Sequence, residues 1–264
     1  MSFSFCSLSS GSSGNCQYIE TKGAKVLVDA GFTGKRIIEL LKNIDVEPKD
    51  IDAILVTHEH IDHAKGVGIL SRKFNIPVYA NEKTWIAMEP IIKEVKSENI
   101  KIIKANKNFE INDILIHPFN ISHDAIDPVG YLFFNGMKKI SILTDTGCVN
   151  EGIKTKIKGS HLFFIEANHD IEMLKNGGYP VHLKKRILGN KGHLSNDDCL
   201  SILSEVLFGQ NEHVLLAHLS KENNLPQLAY KTIYNGLKEI GFDVEKDINI
   251  QLTNRDNHTE IFNI

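Results

Sequence analysis

Six consecutive residues, His58-Glu-His60-Ile-Asp62-His63, crowd three imidazoles and a carboxylate of metal-ligand type into one short segment. Imidazole and carboxylate donors together suit Zn, Mn or Fe. A run of merely solvated polar residues would not concentrate such groups so tightly. One segment cannot complete a site, because each ion takes about four or more ligands. Further candidates stand alone, each just after a strand-like run. Asp29 follows residues 25–28, His123 follows 116–121, Asp145 follows 140–143, and His218 follows 214–217. His117 competes with His123, but it lies inside a strand-like run, where a packed or surface histidine is the plainer reading. His123 is therefore preferred.

Those residues need a scaffold that brings strand ends together. Residues 3–8, 17–20 and 25–29 read as an antiparallel meander, with the Ser/Gly loop 9–15 between the first two strands. A helix is expected over 35–42 and a buried strand over 52–57, which delivers the histidine-rich segment. Then come a helix over 64–74, a strand over 77–80 and a helix over 82–98. Strands follow at 111–119, 129–134, 140–143, 162–166 and 213–217. Helices are expected at 181–188, 196–207 and 227–240. Two halves, each strands and then helices, point to an α/β fold with two sheets face to face and helices outside. The expectation is one domain over residues 1–264.

Composition bounds the possibilities. The chain has 264 residues, 42% hydrophobic and 24% charged, with a formal net charge of -3. That length buries a substantial core without disulfides. The charge excludes a polyanion grip spread over the whole surface. Cys6, Cys16, Cys148 and Cys199 are scattered without CxxC spacing and read as reduced thiols of a cytoplasmic protein. Residues 1–8 carry no basic stretch ahead of a long apolar one, so no secretory signal is expected. No apolar run approaches the roughly 20 residues that span a bilayer, so no membrane partner is expected.

Taken in order, Asp29, His58-x-His60-x-Asp62-His63, His123, Asp145 and His218 resemble the five motifs of the metallo-β-lactamase superfamily. The resemblance implies its four-layer αββα sandwich and two divalent metal ions, Zn or Mn ahead of Fe. It assigns His58, His60 and His123 to one ion and Asp62, His63 and His218 to the other. Asp145 would bridge both, with a water or hydroxide that attacks the substrate, and Asp62 would also accept a proton from the attacking water. Asp29 would orient a ligand from behind. Flavodiiron oxygen reductases resemble the chain but carry Glu where His60 stands. The secreted β-lactamases lack a ligating His where His63 stands. The first departure argues against redox chemistry and the second against the secreted lactamases.

A second series lies in the C-terminal half: Glu166-Ala-Asn168-His169-Asp170, then Gly192-His193-Leu-Ser195. It is similar to the tRNA-processing nuclease branch, and implies that Glu166 orients His193. His193 would donate to the phosphate or the leaving oxygen. Ser195 can also cap the following helix, with Asp198 at its third position. Across the chain the likeness is to the YycJ/WalJ group of stand-alone exonucleases. Lys184, Lys185 and Arg186 stand close to His193 in sequence and suit backbone phosphates; a solvated helix face is the competing reading. Ser12, Ser13 and Asn15 of the Ser/Gly loop suit phosphate through backbone N–H groups, against a plain hairpin turn. Asn168, His169 and Asp170 read as rim residues, with a helix N-cap as the alternative for Asn168 or Asp170. The expected activity is hydrolysis of phosphodiesters in nucleic acid, foremost a 5′→3′ DNA exonuclease of DNA repair. A thioester or lactone hydrolase of the same fold, or a non-catalytic metal-binding regulator, is the alternative.

Overall fold

The expected meander forms because Phe3, Phe5, Leu8, Tyr18, Ile19 and Val26–Val28 are bulky apolar residues that a sheet buries. The computed structural model describes residues 3–264, so the first two positions of the stretch read for a signal lie outside it. Two units are formed: residues 3–120, 125–137 and 254–264 in the first, 121–124 and 138–253 in the second.

The first unit holds β1 (Ser4–Ser9), β2 (Cys16–Glu20), β3 (Lys25–Val28), α1 (Gly34–Lys42), β4 (Ala53–Leu55), α2 (Ile61–Ala64) and α3 (Val67–Phe74). It continues with β5 (Val78–Asn81), α4 (Glu82–Ile92), β6 (Ile100–Ile103), β7 (Phe109–Ile111), β8 (Ile114–Asn120) and β9 (Val129–Asn135). β1, β2 and β3 pair antiparallel; β3, β4, β5 and β6 pair parallel. β7, β8 and β9 form a separate antiparallel run. The helices bury Ile37, Leu40, Leu41, Val67, Leu70 and Met88 against Leu27, Ile54, Val56 and Val78. Burial of that apolar area is the main favourable term in folding.

The second unit holds β10 (Lys138–Leu143), α5 (Glu151–Ile157), β11 (Leu162–Glu166), α6 (Ile171–Asn176), α7 (Val181–Ile187), α8 (Asn196–Val206), β12 (Glu212–Ala217), α9 (Pro226–Glu239) and β13 (Ile248–Leu252). The chain ends back in the first unit with β14 (Phe262–Asn263), paired to β1. β10, β11, β12 and β13 run parallel in that order. β11 is buried at every position, which is why Leu-Phe-Phe-Ile shows no alternation. Ser195 caps α8 in a reciprocal capping box with Asp198, as the sequence suggested.

Some boundaries differ from the sequence reading. The helix expected over 82–98 stops at Ile92. Pro90 cannot donate to the helix ladder, and Lys93 turns out with φ +61°. The chain then enters β6, whose Ile100 and Ile102 face outward on an edge strand and show no buried-strand signature. Among the described residues no helix is long and apolar enough to cross a membrane.

Among the non-glycine residues with left-handed backbones are three that follow strands and carry candidate chemistry: Asp29 (φ +62°), Asp145 (φ +55°) and His218 (φ +54°). Such backbones are uncommon for residues with a Cβ and persist where their surroundings enforce them. All three are candidate site residues. Gly31 shows how tightly the histidine-rich segment is held: a Cβ there would lie 1.7 Å from the Asp62 carbonyl oxygen. That close approach lets Asn15 N–H donate to Asp62 O at 2.8 Å and Ala30 N–H to His63 O at 2.8 Å. Gly31→Ala should therefore destabilise the protein by about 2–3 kcal/mol and lower its melting temperature by roughly 4–10 °C. Thermal unfolding of the purified variant measures this, and an unchanged melting temperature would refute the packing argument.

Candidate metal centre

In the first unit, β3 ends at Asp29 and β4 leads to Thr57 and His58. Asp29 is fully buried. Its Oδ1 accepts from Thr57 N–H at 2.8 Å, and its Oδ2 accepts from the Thr57 hydroxyl at 2.8 Å and from His63 Nδ1 at 2.8 Å. The Thr57 hydroxyl also lies 3.0 Å from His58 Nδ1. One carboxylate thus fixes His63 directly and His58 through Thr57. Burial pushes the Asp29 carboxyl up, while the charge of His63 and the donors of His63 and Thr57 pull it back. With its Nδ1 held from behind, His58 presents Nε2, which lies 3.1 Å from His60 Nδ1. Tetrahedral Zn–N bonds of about 2.0–2.1 Å would put neighbouring nitrogens about 3.3 Å apart, so this convergence fits a shared ion. His63 Nε2 lies 3.6 Å from Asp62 Oδ2.

Asn15, expected to meet substrate, is buried and works inside this half. Its amide bonds both backbone groups of Gly11 and lies 3.0 Å from His63 Nε2. Ser12 and Ser13 are exposed on the same loop.

In the second unit, β10, β11 and β12 end side by side at Asp145, Glu166 and His218. Glu166 has no exposed surface. Its Oε1 accepts from His193 Nδ1 at 2.7 Å and from His218 Nδ1 at 2.9 Å. Its Oε2 accepts from Thr146 N–H at 3.0 Å and Leu194 N–H at 3.3 Å. Asp145, Glu166, His193 and His218 each bring a donor atom within 4.8 Å of the others. Glu166 has both oxygens engaged by donors, so it acts as the anchor of this group. The sequence suggested its pairing with His193; its equal hold on His218 was not legible there. His123 donates Nδ1–H to Gly192 O at 3.2 Å, leaving Nε2 3.3 Å from Asp124 Oδ1 and 4.0 Å from Asp145 Oδ1. His117, its competitor, lies in β8 with Nδ1 on Asn108.

The other candidates serve locally. Asn168 donates to His218 O at 2.8 Å. Asp170 caps α6, accepting from Met173 N–H at 2.7 Å. Ser195 is buried in its capping box. Lys184 donates to Lys175 O, and Lys185 is exposed. Arg186 pairs with Asp124. His169 is buried, neither of its ring nitrogens has a hydrogen-bond partner among the described residues, and burial holds it down at about 4.

The match to a family model decides what this geometry belongs to: residues 10–157 fit that of the metallo-beta-lactamase superfamily. The chain belongs to the metallo-β-lactamase superfamily. It is 42% identical over 261 residues to exodeoxyribonuclease YycJ of Bacillus anthracis, covering 99% of both chains. Against exodeoxyribonuclease WalJ of Streptococcus pneumoniae it is 43% identical over 264 residues, covering 99% of this chain and 98% of the relative. Among solved structures, the metallo-β-lactamase fold protein YhfI of Bacillus subtilis superposes with TM-score 0.73 over both whole chains at 15% identity. Human tRNase Z, short form, superposes with TM-score 0.64 at 16% identity, over 97% of this chain and 98% of that one. The fold is the superfamily's αββα sandwich, and the chain is a metal-dependent hydrolase.

The Glu166–His193 pair has a pH signature. Burial pushes the His193 imidazole down, but the Glu166 carboxylate outweighs it by charge and hydrogen bond and holds it at about 9. Burial likewise pushes Glu166 up, but His193 and His218 outweigh it and hold it at about 2. The stabilisation from His193 is full below its ordinary 6.5 and is lost as pH rises through about 9. That from Glu166 is full above 4.5 and is lost as pH falls through about 2. In metal-free protein, NMR should find His193 titrating near pH 9. In Glu166→Gln its midpoint should fall well below the wild-type value, because burial is then opposed only by the charges of Asp145 and Asp124. A midpoint unmoved by Glu166→Gln would contradict the pairing.

Proposed function

We propose that this protein is a dinuclear-metal phosphodiesterase acting on nucleic acid, as a 5′→3′ exonuclease on DNA in the cytoplasm. The observation carrying the reading is the buried Glu166 that holds His193 beside Asp145 and His218. A phosphodiester already carries a negative charge before reaction, which a protonated imidazole fixed at that point would meet and which a neutral thioester or lactone lacks. The names of the full-length relatives, both exodeoxyribonucleases, support the same substrate class.

The proposed ligands are His58, His60 and His123 for one ion, Asp62, His63 and His218 for the other, and Asp145 for both. The donor chemistry suits Zn or Mn. Divalent ions bound there would supply hydroxide near neutral pH and neutralise charge on the phosphate. The chain's own residues do the rest. Asp29 and Glu166 hold the imidazoles in one tautomer, each with Nδ1–H directed backward. Asp62, 22% exposed at the side chain, would accept a proton from the attacking water. His193 carries its second N–H, on Nε2, for the scissile phosphate or the departing oxygen, and Glu166 keeps that imidazole protonated through neutral pH. Lys185 and Arg186 offer positive charge to the strand. We read residues 1–264 as working as one domain.

End-labelled single- and double-stranded DNA and RNA, each with Mn or Zn, test the reading directly. DNA should shorten from its 5′ end. Asp62→Ala should abolish the reaction, and His193→Ala should lower kcat by about 10²-fold with metal content unchanged. Hydrolysis of a chromogenic thioester or lactone with every nucleic acid left intact would overturn the proposal.

A further inference from the structure

The C-terminal segment that follows β13 returns to the Ser/Gly loop of the first unit. Ser10 N–H donates to Asn254 O at 2.9 Å, Thr259 N–H donates to Ser7 O at 2.9 Å, and the Ser9 hydroxyl donates to Arg255 O. This lays the Arg255 side chain flat on Gly11. A Cβ at Gly11 would meet Arg255 Cγ at 3.0 Å and Nε at 3.2 Å, and Gly11 has φ +149°. The glycine is required both for the backbone conformation and for the guanidinium's approach. Asn15 joins this place to the candidate ligands. Its amide bonds the Gly11 N–H and carbonyl, and reaches His63 Nε2 at 3.0 Å and Asp62 Oδ2 at 3.5 Å. A single side chain therefore touches both the loop under Arg255 and two candidate metal ligands.

Charge and exposure complete the picture. Ser12 and Ser13 are exposed at the tip of the loop. Arg36 lies nearby, donating to Asp256 O and pairing with Glu39. Asp256 N–H and Asn257 N–H both donate to Asn254 Oδ1, which fixes the turn carrying Arg255. Arginine recognises phosphate by a planar fork of donors, and serine hydroxyls add short donors beside it. The chain as a whole has net charge -3, and Arg255 brings one positive charge to the loop that Asn15 ties to His63.

We propose that Arg255, with the Ser12 and Ser13 hydroxyls, is a phosphate subsite for the nucleic-acid strand, one step along from the scissile phosphate. This rests on the nuclease reading above. The phosphate has two possible sources, the terminal 5′-phosphate of the strand or an internal phosphodiester. The subsite serves binding and register, so its loss acts on KM more than on kcat.

The test uses the full chain loaded with Mn and matched oligonucleotides bearing a 5′-phosphate or a 5′-hydroxyl. Arg255→Gln should raise KM about ten-fold, the effect of losing one charge-assisted phosphate contact, with kcat within about two-fold. The slope of log KM against log salt should fall by about one phosphate's worth. Arg255→Lys should restore the salt slope but only part of the affinity. If the terminal phosphate is bound, Arg255→Gln also erases any preference for the 5′-phosphorylated strand; if an internal one is bound, both strands suffer alike. Ser12→Ala/Ser13→Ala, which removes hydroxyls without touching the Gly11 packing, should raise KM in the same direction. A folded Arg255→Gln protein with unchanged KM and salt slope, on a wild type that degrades DNA, would overturn the subsite alone. A wild type that neither binds nor cuts nucleic acid would overturn the nuclease reading and the subsite with it.

Discussion

A buried carboxylate that holds imidazoles by their Nδ1–H is the interaction on which this molecule depends. It occurs twice, once in each unit. Asp29 grips His63 directly and His58 through Thr57; Glu166 grips His193 and His218. Hydrogen bonds to a charged group contribute about 1.5–3 kcal/mol each. An ionised carboxylate without such donors would not remain charged at zero exposure. The donors therefore keep the anion, and the anion sets the tautomer of each ring. The second oxygen of each binds backbone as well, Asp29 that of Thr57 and Glu166 that of Thr146 and Leu194, beside Asp145 and His193. Three segments of the second unit meet on one side chain.

Geometry this demanding explains the backbone oddities. Asp29, Asp145 and His218 take left-handed conformations at strand ends, and such strain is sustained only where other contacts enforce it. Gly31 and Gly147 accept backbone approaches that no side chain would allow; a Cβ on Gly147 would lie 2.5 Å from Gly192 N. Both glycines sit against candidate site segments, the histidine-rich one in the first case and the one carrying His193 in the second.

The sequence was informative where chemistry is dense in a short stretch. His58–His63 points to metal binding by residue type alone, and the likeness to a known superfamily carries the αββα fold and the proposed ligand order. The second grip of Glu166 was not legible, because His218 lies 52 residues away and nothing in spacing shows that two strand ends are neighbours. Asn15 reads as a substrate contact because a Ser/Gly loop can offer backbone N–H groups to phosphate; its side chain is buried beside His63. Arg255 drew no notice, since a lone arginine near the end of a chain carries no pattern. Helix α4 was overextended because apolar periodicity continues past Pro90, whereas backbone chemistry does not. β6 and β13 are edge strands whose half-exposed residues mimic loops.

The central claim is that one carboxylate, Glu166, prepares both a proposed metal ligand, His218, and a proposed proton donor, His193. Calorimetric titration of Mn into metal-free protein tests it most directly, comparing wild type, Glu166→Gln and His193→Ala. Losing the partner behind a ligating histidine typically weakens metal binding by about 10–100-fold. Glu166→Gln should therefore weaken one of two binding events by that factor, while His193→Ala leaves both unchanged. Wild-type affinity at both events in Glu166→Gln would show that His218 does not depend on Glu166, and the account would fail.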